Sequence, residues 1–459
     1  MPRIAARNRR QQPTRFEVFD LHSRFTYRIE LPTEDRPVRF LSAPNGYGKS
    51  TLLQMVNDLT HYRWEALART IFRQATLHFD RGAKLTLARA IKDEGHTVLT
   101  VKCISPDQDD IERRVDIVRS MTPWIRGNAG TGFENAETGE PLCNEEATRF
   151  MRSDAPTGST RSELRVLTHQ LDRVLGIPAV YYLDAQRLRH HMRDEATRAE
   201  LPGTRGEGSE YAVNQVSSRI AGIMRRVSFD YGRTSRAADR AYLPRALKAL
   251  RRARPANQID PQALAERYAQ LREQESNLQS LALTDGVMDA ISEEECRSTD
   301  QTALLLLDQF LDDVERRFAV LERTAKQFTL FRDTLNSMFE HKKIGFNTRL
   351  VLGRGRRVGI YAVSDEGQEI PLTALSSGEQ HLIVMFGRIL FDSDCMNGGL
   401  VLLDEPEISL HPQWQMALSQ ALKEVAVLNK CRMLLATHSP TMIGNDWDSE
   451  TALSPLEEA

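Results

Sequence analysis

One short segment near the start of the chain has the residue types of a phosphate-binding loop. It reads Ala43-Pro44-Asn45-Gly46-Tyr47-Gly48-Lys49-Ser50-Thr51. Backbone N–H groups of such a loop point at phosphate oxygens, a lysine supplies positive charge near the β- and γ-phosphates, and a serine hydroxyl ligates Mg²⁺. We therefore predict that Asn45 to Thr51 bind a nucleoside triphosphate, with Lys49 on the phosphates and Ser50 on the metal.

The elements on either side of this loop are those that it needs. Residues 38–42 are typical of a short β-strand, and residues 52–56 are typical of a helix. A strand, a glycine-containing loop and a helix in that order place the loop at the carboxyl end of a strand and at the amino end of a helix. The alternative, an ordinary surface loop, explains neither the context nor the Gly-Lys-Ser sequence.

Two apolar segments later in the chain end in groups that can activate water and hold a metal. Leu400 to Leu403 precede Asp404 and Glu405, and Met433 to Ala436 precede Thr437 and His438. A carboxylate such as Asp404 suits a hard cation. Glu405 is a candidate general base for an attacking water, provided that both carboxylates face the nucleotide where the strand ends. A surface Asp-Glu pair and a structural histidine are the alternatives, and the buried strands before both motifs disfavour them.

A fourth segment, Leu375-Ser376-Ser377-Gly378-Glu379-Gln380, precedes an apolar helix. The four segments in this order resemble the ATP-binding-cassette (ABC) ATPases, and within them the branch of structural-maintenance-of-chromosomes, RecF and Rad50-like proteins. The resemblance implies ATP and Mg²⁺ as ligands, with Lys49, Glu405 and His438 in catalysis. It also implies that Ser377 and Gly378 complete the site of an opposite subunit in a homo-oligomer, and that Gln186 joins Ser50 and Asp404 around the metal.

The residues after Glu405 narrow the resemblance. The sequence Pro406-Glu407-Ile408-Ser409-Leu410-His411-Pro412 is similar to OLD-type ATPases and to the ATPase subunits of anti-phage systems such as Septu and PARIS. It replaces the usual D-loop of ABC ATPases, and His411 stands where that loop has an aspartate. OLD-type nucleases continue into a Toprim domain, which we do not expect in the 21 residues that follow His438 here. The resemblance therefore implies a separate effector, such as a Toprim or H-N-H nuclease, controlled by this ATPase in anti-phage defence.

The composition sets limits on the class of protein. The chain has 459 residues, of which 41% are hydrophobic and 27% charged, and its formal net charge is −2. Five cysteines are scattered without a C-x-x-C pair, which disfavours a disulfide framework or a zinc site. The sequence has no long apolar run, and no apolar segment follows its basic start, so we expect a cytoplasmic protein without membrane contact.

The predicted fold class is α/β: an ABC-type P-loop core with a mixed sheet, flanking helices, an antiparallel β meander and a helical, coiled-coil-like insertion. We predict an N-terminal lobe at 1–200, the insertion at 201–345 and a C-terminal lobe at 346–459. The meander covers residues 75–103, and residues 121–160 are predicted to be irregular. A heptad-like seam from Leu307 to Phe328 predicts one long helix, which pairs in an antiparallel hairpin with an earlier helix across residues 284–299 or lies flat on the core.

One segment has a strong local charge. From Arg225 to Arg254 ten basic residues stand against two acidic ones. This excess indicates either a contact with nucleic acid or an acidic partner, or a solvated helix face that pairs with an acidic segment such as Glu293–Glu295. Three functions therefore compete: an ATPase that controls an effector, a RecF or Rad50-like DNA-repair ATPase, and a transporter's nucleotide-binding subunit, which the long insertion disfavours.

Overall fold

The computed structural model of the chain describes residues 11–93, 96–106, 108–118, 124–126, 133–135, 158–184, 212–252, 259–347, 350–351, 355–356, 359–392, 398–408 and 410–454. Gln186 and most of the segment 121–160 lie outside the described residues. The chain divides into two compact units. The first is drawn from residues 1–184, 394–407 and 430–459, and the second from residues 185–393 and 408–429. The predicted domain boundaries remain predictions.

The strands are numbered in chain order. They are β1 Pro13–Leu21, β2 Phe25–Glu30, β3 Val38–Ser42, β4 Gln74–Phe79, β5 Lys84–Asp93, β6 His96–Ser105, β7 Gln108–Val118, β8 Trp124–Arg126, β9 Phe133–Asn135, β10 Val180–Asp184, β11 Lys342–Asn347, β12 Leu350–Val351, β13 Gly355–Arg356, β14 Gly359–Ser364, β15 Glu369–Ile370, β16 Leu400–Asp404, β17 Arg432–Thr437 and β18 Glu450–Ala452.

The helices are numbered in the same way. They are α1 Lys49–Thr60, α2 Trp64–Arg69, α3 Gly158–Leu175, α4 Ala212–Arg252, α5 Pro261–Ser280, α6 Glu293–Cys296, α7 Gln301–Ala319, α8 Glu322–Met338, α9 Ser377–Phe391, α10 Pro412–Asn429 and α11 Pro440–Ile443.

The first unit contains two sheets of different kinds. One has the order β10-β16-β17-β3-β18, and its neighbouring strands are all parallel. The other is antiparallel, in the order β2-β1-β4-β5-β6-β7, and contains the predicted meander. The prediction of an α/β fold with an antiparallel meander is confirmed, although parallel and antiparallel strands lie in separate sheets. Because β3, β16 and β17 run in the same direction, the residues that follow them meet at one edge.

A shared core explains why β16 and β17 are apolar between their end residues. Every residue of β16 is buried, and so is every residue of β17. Leu52, Leu53 and Val56 of α1 belong to the same buried cluster as Leu402 of β16. A parallel strand with both faces covered has no polar side to alternate with. The core therefore fixes where the last residue of each strand, and the loop after it, comes to lie.

The second unit is mostly helical. The amino-terminal half of α4 buries Val213, Val216, Ile220 and Met224. A side chain at Gly387 of α9 would meet Val216 at 2.5 Å, so α4 packs directly against the glycine. This unit also contains a three-stranded antiparallel sheet, β11-β14-β15, and the two-stranded β12-β13.

The heptad-like seam does not form one helix, and that prediction is wrong. α7 ends at Ala319 and α8 begins at Glu322. The N–H of Leu321 donates to the Phe318 carbonyl at 2.8 Å, an i to i−3 bond that makes a tight turn between the two helices. Apolar spacing continued across this turn because Phe318 and Leu321 are both buried.

The basic segment forms part of α4. The alternative in which it pairs with an acidic segment holds for Arg245, but the partner is not Glu293–Glu295. Arg245 pairs with Asp313 of α7, whereas Glu293 pairs with Arg297 and Glu295 caps its own short helix. α4 packs along α7, which brings Asp313 within reach. Three apolar side chains of α4 are exposed: Phe229 at 66%, Leu243 at 63% and Leu247 at 47%.

Candidate functional site

The phosphate-binding loop connects β3 to α1. Gly46 and Gly48 have φ angles of 85° and 81°, in the left-handed region that favours glycine. A Cβ at Gly48 would also lie 3.3 Å from Leu21. Gly48 caps α1 without a side-chain hydrogen bond. The first N–H groups of the helix are therefore left for an anion, as phosphate binding requires.

Aromatic residues from the antiparallel sheet support the loop. The hydroxyl of the buried Tyr27 donates to the Tyr47 carbonyl at 2.9 Å. Phe25 stacks on the Tyr47 ring with 5.6 Å between the ring centroids. Phe25 and Tyr27 are both buried, so they pack against the loop and do not offer an open ring face on which a nucleobase could stack.

Lys49 lies inside the site, with 5% of its surface exposed. Its Nζ donates to the Ala43 carbonyl at 2.9 Å and contacts the His438 ring 3.2 Å from Nδ1. Burial holds the pKa of the ammonium below its usual value, while the carboxylates of Glu405, Asp404 and Glu407 act in the opposite direction. The Lys49 ammonium is thus a buried cation in contact with a carbonyl and an imidazole ring, and negatively charged phosphate oxygens would be stronger partners.

Asp404 is the last residue of β16 and is 5% exposed. Its Oδ2 accepts a hydrogen bond from the Tyr182 hydroxyl at 3.1 Å, and the Ser50 side chain lies near the carboxylate. Its Oδ1 is buried and has no hydrogen-bond partner among the described residues. Burial raises the pKa of this carboxyl above its usual value, and Ser50 and Tyr182 oppose the shift.

These residues fit a magnesium ion that is also bound by phosphate. Mg²⁺ in nucleotide sites takes one or two protein oxygens and completes its shell with phosphates and water. Ser50 and Asp404 supply such a pair, and the unpartnered Oδ1 of Asp404 is an available ligand atom. Among the described residues no three His, Cys, Asp or Glu side chains converge as a metal site. An ion here would therefore depend on the nucleotide.

Glu405 turns away from the strand, as predicted for a residue at its end. Its φ is 48°, a left-handed conformation that is uncommon outside glycine. Its backbone N–H still donates to the Ala436 carbonyl at 2.9 Å. Its Oε1 lies 3.4 Å from Nε2 of His438, which follows the adjacent strand β17. The structure thus brings together Lys49, Ser50, Asp404, Glu405 and His438.

Ser377 and Gly378 lie in the second compact unit, at the amino end of α9. Ser376 caps the helix and forms a capping box with Glu379. Ser377 is exposed, and a Cβ at Gly378 would meet nothing within 4 Å. The amino end of this helix is accordingly accessible. Gln186 lies outside the described residues, so its predicted role is untested.

Sequence reasoning missed two residues of the site, Tyr182 and Glu407. Tyr182 belongs to β10, which pairs with β16 so that Asp184 lies beside Asp404. Glu407 accepts hydrogen bonds from Thr437 and His438. The parallel pairing of β10 with the Asp-Glu strand was the signal for Tyr182, but it depends on tertiary structure.

Comparisons with known proteins agree with this geometry at a coarse level. Residues 245–443 match the family model described as the AAA ATPase domain, less than half of the chain. A DNA double-strand break repair Rad50 ATPase from Sulfurisphaera tokodaii is 36% identical over 93 residues, which are 20% of this chain and 10% of that protein. The retron Vc95 probable ATPase of Vibrio cholerae serotype O1 is 33% identical over 90 residues, 18% of this chain and 17% of that protein.

The solved structures similar to this chain include one that aligns with most of its length. It is the Smc head domain with an extended coiled coil, bound to the C-terminal domain of ScpA, from Pyrococcus furiosus. It covers 95% of this chain and 92% of that chain, with 12% identity and a TM-score of 0.36.

The sequence matches support an ABC-type ATPase. They span about a tenth and a sixth of the two curated relatives, so they do not carry over what either whole protein does. No helix in the described part of the chain is long and apolar enough to cross a membrane.

The raised pKa of Asp404 predicts that ionisation of this carboxyl lowers the stability of the nucleotide-free protein. Above this raised pKa the carboxylate is ionised in both states, and its ionisation opposes folding; below its ordinary pKa the opposition is absent. We expect Asp404→Asn to raise the nucleotide-free melting temperature at pH 7 by about 1–3 °C, and the difference to shrink as the pH falls. Scanning fluorimetry from pH 5 to 8 measures it.

With ATP bound, Mg²⁺ should raise the melting temperature of the wild-type protein further. Asp404→Asn should lose this additional rise, because the metal has lost a carboxylate ligand. Asp109→Asn, at an exposed position of β7, is the matched control and should leave both quantities unchanged. A nucleotide-free melting temperature that falls in Asp404→Asn would contradict the assignment of an unfavourable charge.

Proposed function

We propose that the chain binds ATP with Mg²⁺ and hydrolyses it to ADP and phosphate. The observation that carries this proposal is the convergence of Lys49, Ser50, Asp404, Glu405 and His438 at the carboxyl edge of one parallel sheet. A cation, a hydroxyl and carboxylates around a glycine-containing loop are the groups that phosphoryl transfer requires. The matching ATPase segments in the two curated relatives support the same reaction.

Each residue has a role in this proposal. The backbone of Asn45 to Thr51 and the Lys49 ammonium hold the phosphates, which replace the Ala43 carbonyl and His438 ring as partners of Lys49. Glu405 accepts a proton from the attacking water, and His438 orients the water or the γ-phosphate. Ser50 and Asp404 hold Mg²⁺, which neutralises charge on the phosphates when bound.

Substitution of the base tests the reaction. We expect Glu405→Gln to lower kcat for ATP hydrolysis about 10²–10⁴-fold, because a neutral amide cannot accept the water's proton. ATP binding should survive, since Lys49 and Ser50 are unchanged, whereas Lys49→Ala should abolish it. Phosphate release and isothermal titration measure the two. Glu424→Gln, exposed on α10, is the control, and unchanged hydrolysis in Glu405→Gln would refute the assignment.

We further propose that the active form is an ATP-sandwiched homo-oligomer, in which Ser377 and Gly378 of one copy face the nucleotide of another. The exposed amino end of α9 supports this arrangement, because its first N–H groups and the Ser377 hydroxyl suit a γ-phosphate.

A mixing experiment tests the exchange of residues between copies. Gly378→Asp should fold normally, since a Cβ there meets nothing within 4 Å, but its carboxylate should repel the γ-phosphate. Lys49→Ala and Gly378→Asp should each be inactive alone. If the active form is a dimer with two independent sites, random pairing of equal amounts should restore about a quarter of the wild-type rate, because half the dimers have one intact site. No recovery after mixing would contradict a shared site.

The proposed cellular role is control of a separate effector, a Toprim or H-N-H nuclease, in cytoplasmic anti-phage defence. Its support is the Glu-Pro-Glu-Ile-Ser-Leu-His-Pro sequence at 405–412 and the match to a retron ATPase. On α4 the exposed Leu243 and Leu247 lie one helical turn apart and add a small apolar surface for a protein partner, whereas Phe229 is exposed about 21 Å away along the helix.

A RecF or Rad50-like DNA-binding ATPase is the second candidate. The observation that favours it is the same helix: Arg236, Arg240 and Arg251 are exposed on α4 with no ion pair to a described residue. Basic side chains free of carboxylates are available for phosphates of nucleic acid.

Paired variants of α4 separate the two candidates. If an effector docks there, Leu243→Ser with Leu247→Ser should abolish co-purification with the product of a neighbouring gene, while Arg236→Gln with Arg240→Gln weakens it less. If DNA binds there, the arginine pair should lower duplex affinity and reduce the salt slope by about two, whereas the serine pair leaves both unchanged. Absence of duplex binding at low salt would remove the second candidate.

A further inference from the structure

Glu407 is a buried carboxylate that the reaction itself does not use. It lies three residues beyond Asp404 and is 7% exposed. Its Oε1 accepts a hydrogen bond from the backbone N–H of His438 at 2.9 Å and another from the hydroxyl of Thr437. Its Oε2 is buried with no hydrogen-bond partner among the described residues.

These bonds define the turn that carries His438. Thr437 ends β17 and is fully buried, and its Oγ1 also accepts from the N–H of Ser439 at 3.0 Å. The backbone N–H groups of two successive residues, His438 and Ser439, are thus tied directly or through Thr437 to one carboxylate. A turn held in this way has little freedom to rotate, because each N–H that moved would lose a hydrogen bond to an acceptor that is itself buried, Glu407 or Thr437.

The same carboxylate links two parts of the site. Glu407 belongs to the segment that carries Asp404 and Glu405, and it fixes the segment that carries His438. The His438 ring then lies beside Lys49 and 3.4 Å from Oε1 of Glu405. The ring could not keep both neighbours if the 437–439 backbone changed direction.

A buried carboxylate is costly unless it is paired and hydrogen-bonded. Neutral side chains could fill the space, and an oxygen without a partner in the interior is unfavourable. A buried polar atom without a partner in a native structure calls for an explanation, and the bonds of the other oxygen to the 437–439 turn supply one.

We propose that Glu407 is a positioning residue, which holds the Thr437–Ser439 turn and thereby places the His438 ring between Lys49 and Glu405. The effect of this role on kcat rests on the proposed hydrolysis of ATP, whereas the placement of the His438 ring does not. Glu407 itself does not touch the reacting atoms, so it is not a catalytic residue. The turn itself needs an oxygen acceptor at this point, whereas the charge of Glu407 acts on the Lys49 ammonium.

Two substitutions at the same position test this distinction. Glu407→Ala removes the acceptor, and Glu407→Gln keeps an oxygen that can accept from both Thr437 and His438. We expect Glu407→Ala to lower kcat about 10- to 100-fold while KM for ATP changes less than about 3-fold, since only the position of His438 is lost. Glu407→Gln should restore kcat to within about 3-fold of wild type.

The nucleotide-free protein provides an independent readout. The chain contains eleven histidines, and the imidazole signal that disappears in His438→Gln identifies the ring in a ¹³C-labelled spectrum. That signal should shift in Glu407→Ala and stay near its wild-type position in Glu407→Gln and in the control Glu424→Gln. If the wild type proves unable to hydrolyse ATP, the proposed function fails, but this spectrum still tests the placement of His438.

Substitutions at Thr437 test the same turn if Glu407→Ala does not fold. Thr437→Val keeps the carboxylate but removes one donor to it and the acceptor of Ser439, so it should shift the same signal and lower kcat by less than Glu407→Ala does. Thr437→Ser should restore both. The proposal is overturned if Glu407→Ala leaves the His438 signal and kcat unchanged, or if Glu407→Gln is as impaired as Glu407→Ala, which would make the charge essential.

Discussion

The Lys49 ammonium and the carboxylates of Asp404, Glu405 and Glu407 share a small volume that is largely shielded from water. The cation is less stable there than in water, and the Asp404 carboxyl also resists ionisation. In such a site each charge depends on the others, because the screening that weakens ion pairs at a surface is reduced. Bound nucleotide would bring negative phosphates to Lys49 and a metal to Asp404, and so would relieve both costs together.

The parallel sheet makes this concentration of charge possible. Strands β16 and β17 are buried along their whole length, and they end in Asp404 and Thr437. β3 pairs beside β17 in the same direction, so the phosphate-binding loop opens at the same edge. The free energy that holds these charges comes from the apolar strands and helices behind them. Function and stability are therefore divided along each strand, with packing in the middle and chemistry at the end.

Much of this site could be predicted from the sequence, because most of its candidate residues follow a strong local pattern. The loop at 45–51 has its own glycines, and Asp404 and His438 each follow an apolar run that can only be buried. Glu407 and Tyr182 have no such pattern, since their roles come from partners 31 and 222 residues away. Local sequence does not specify partners at that separation.

The helical region shows the opposite limit. The spacing of apolar residues from Leu307 to Phe328 is right for one helix, but a tight turn at 320–321 divides it. Periodicity reports which side chains are buried, and both sides of this turn are buried. It does not report whether the backbone continues, because a turn of two residues can keep the same face inward.

The amino end of α9 raises a question of charge that its neighbours resolve. A glutamate at position 379 stands in the first turn of the helix that we propose to face a phosphate, and two negative groups would repel. Lys342 donates to both oxygens of that carboxylate, at 3.0 and 2.9 Å. The carboxylate also accepts from the Ser376 N–H at 2.8 Å, so it is neutralised and turned toward its own chain. The capping bond occupies the Ser376 side chain, which leaves the exposed Ser377 hydroxyl and the Gly378 N–H as the groups that an incoming phosphate would contact.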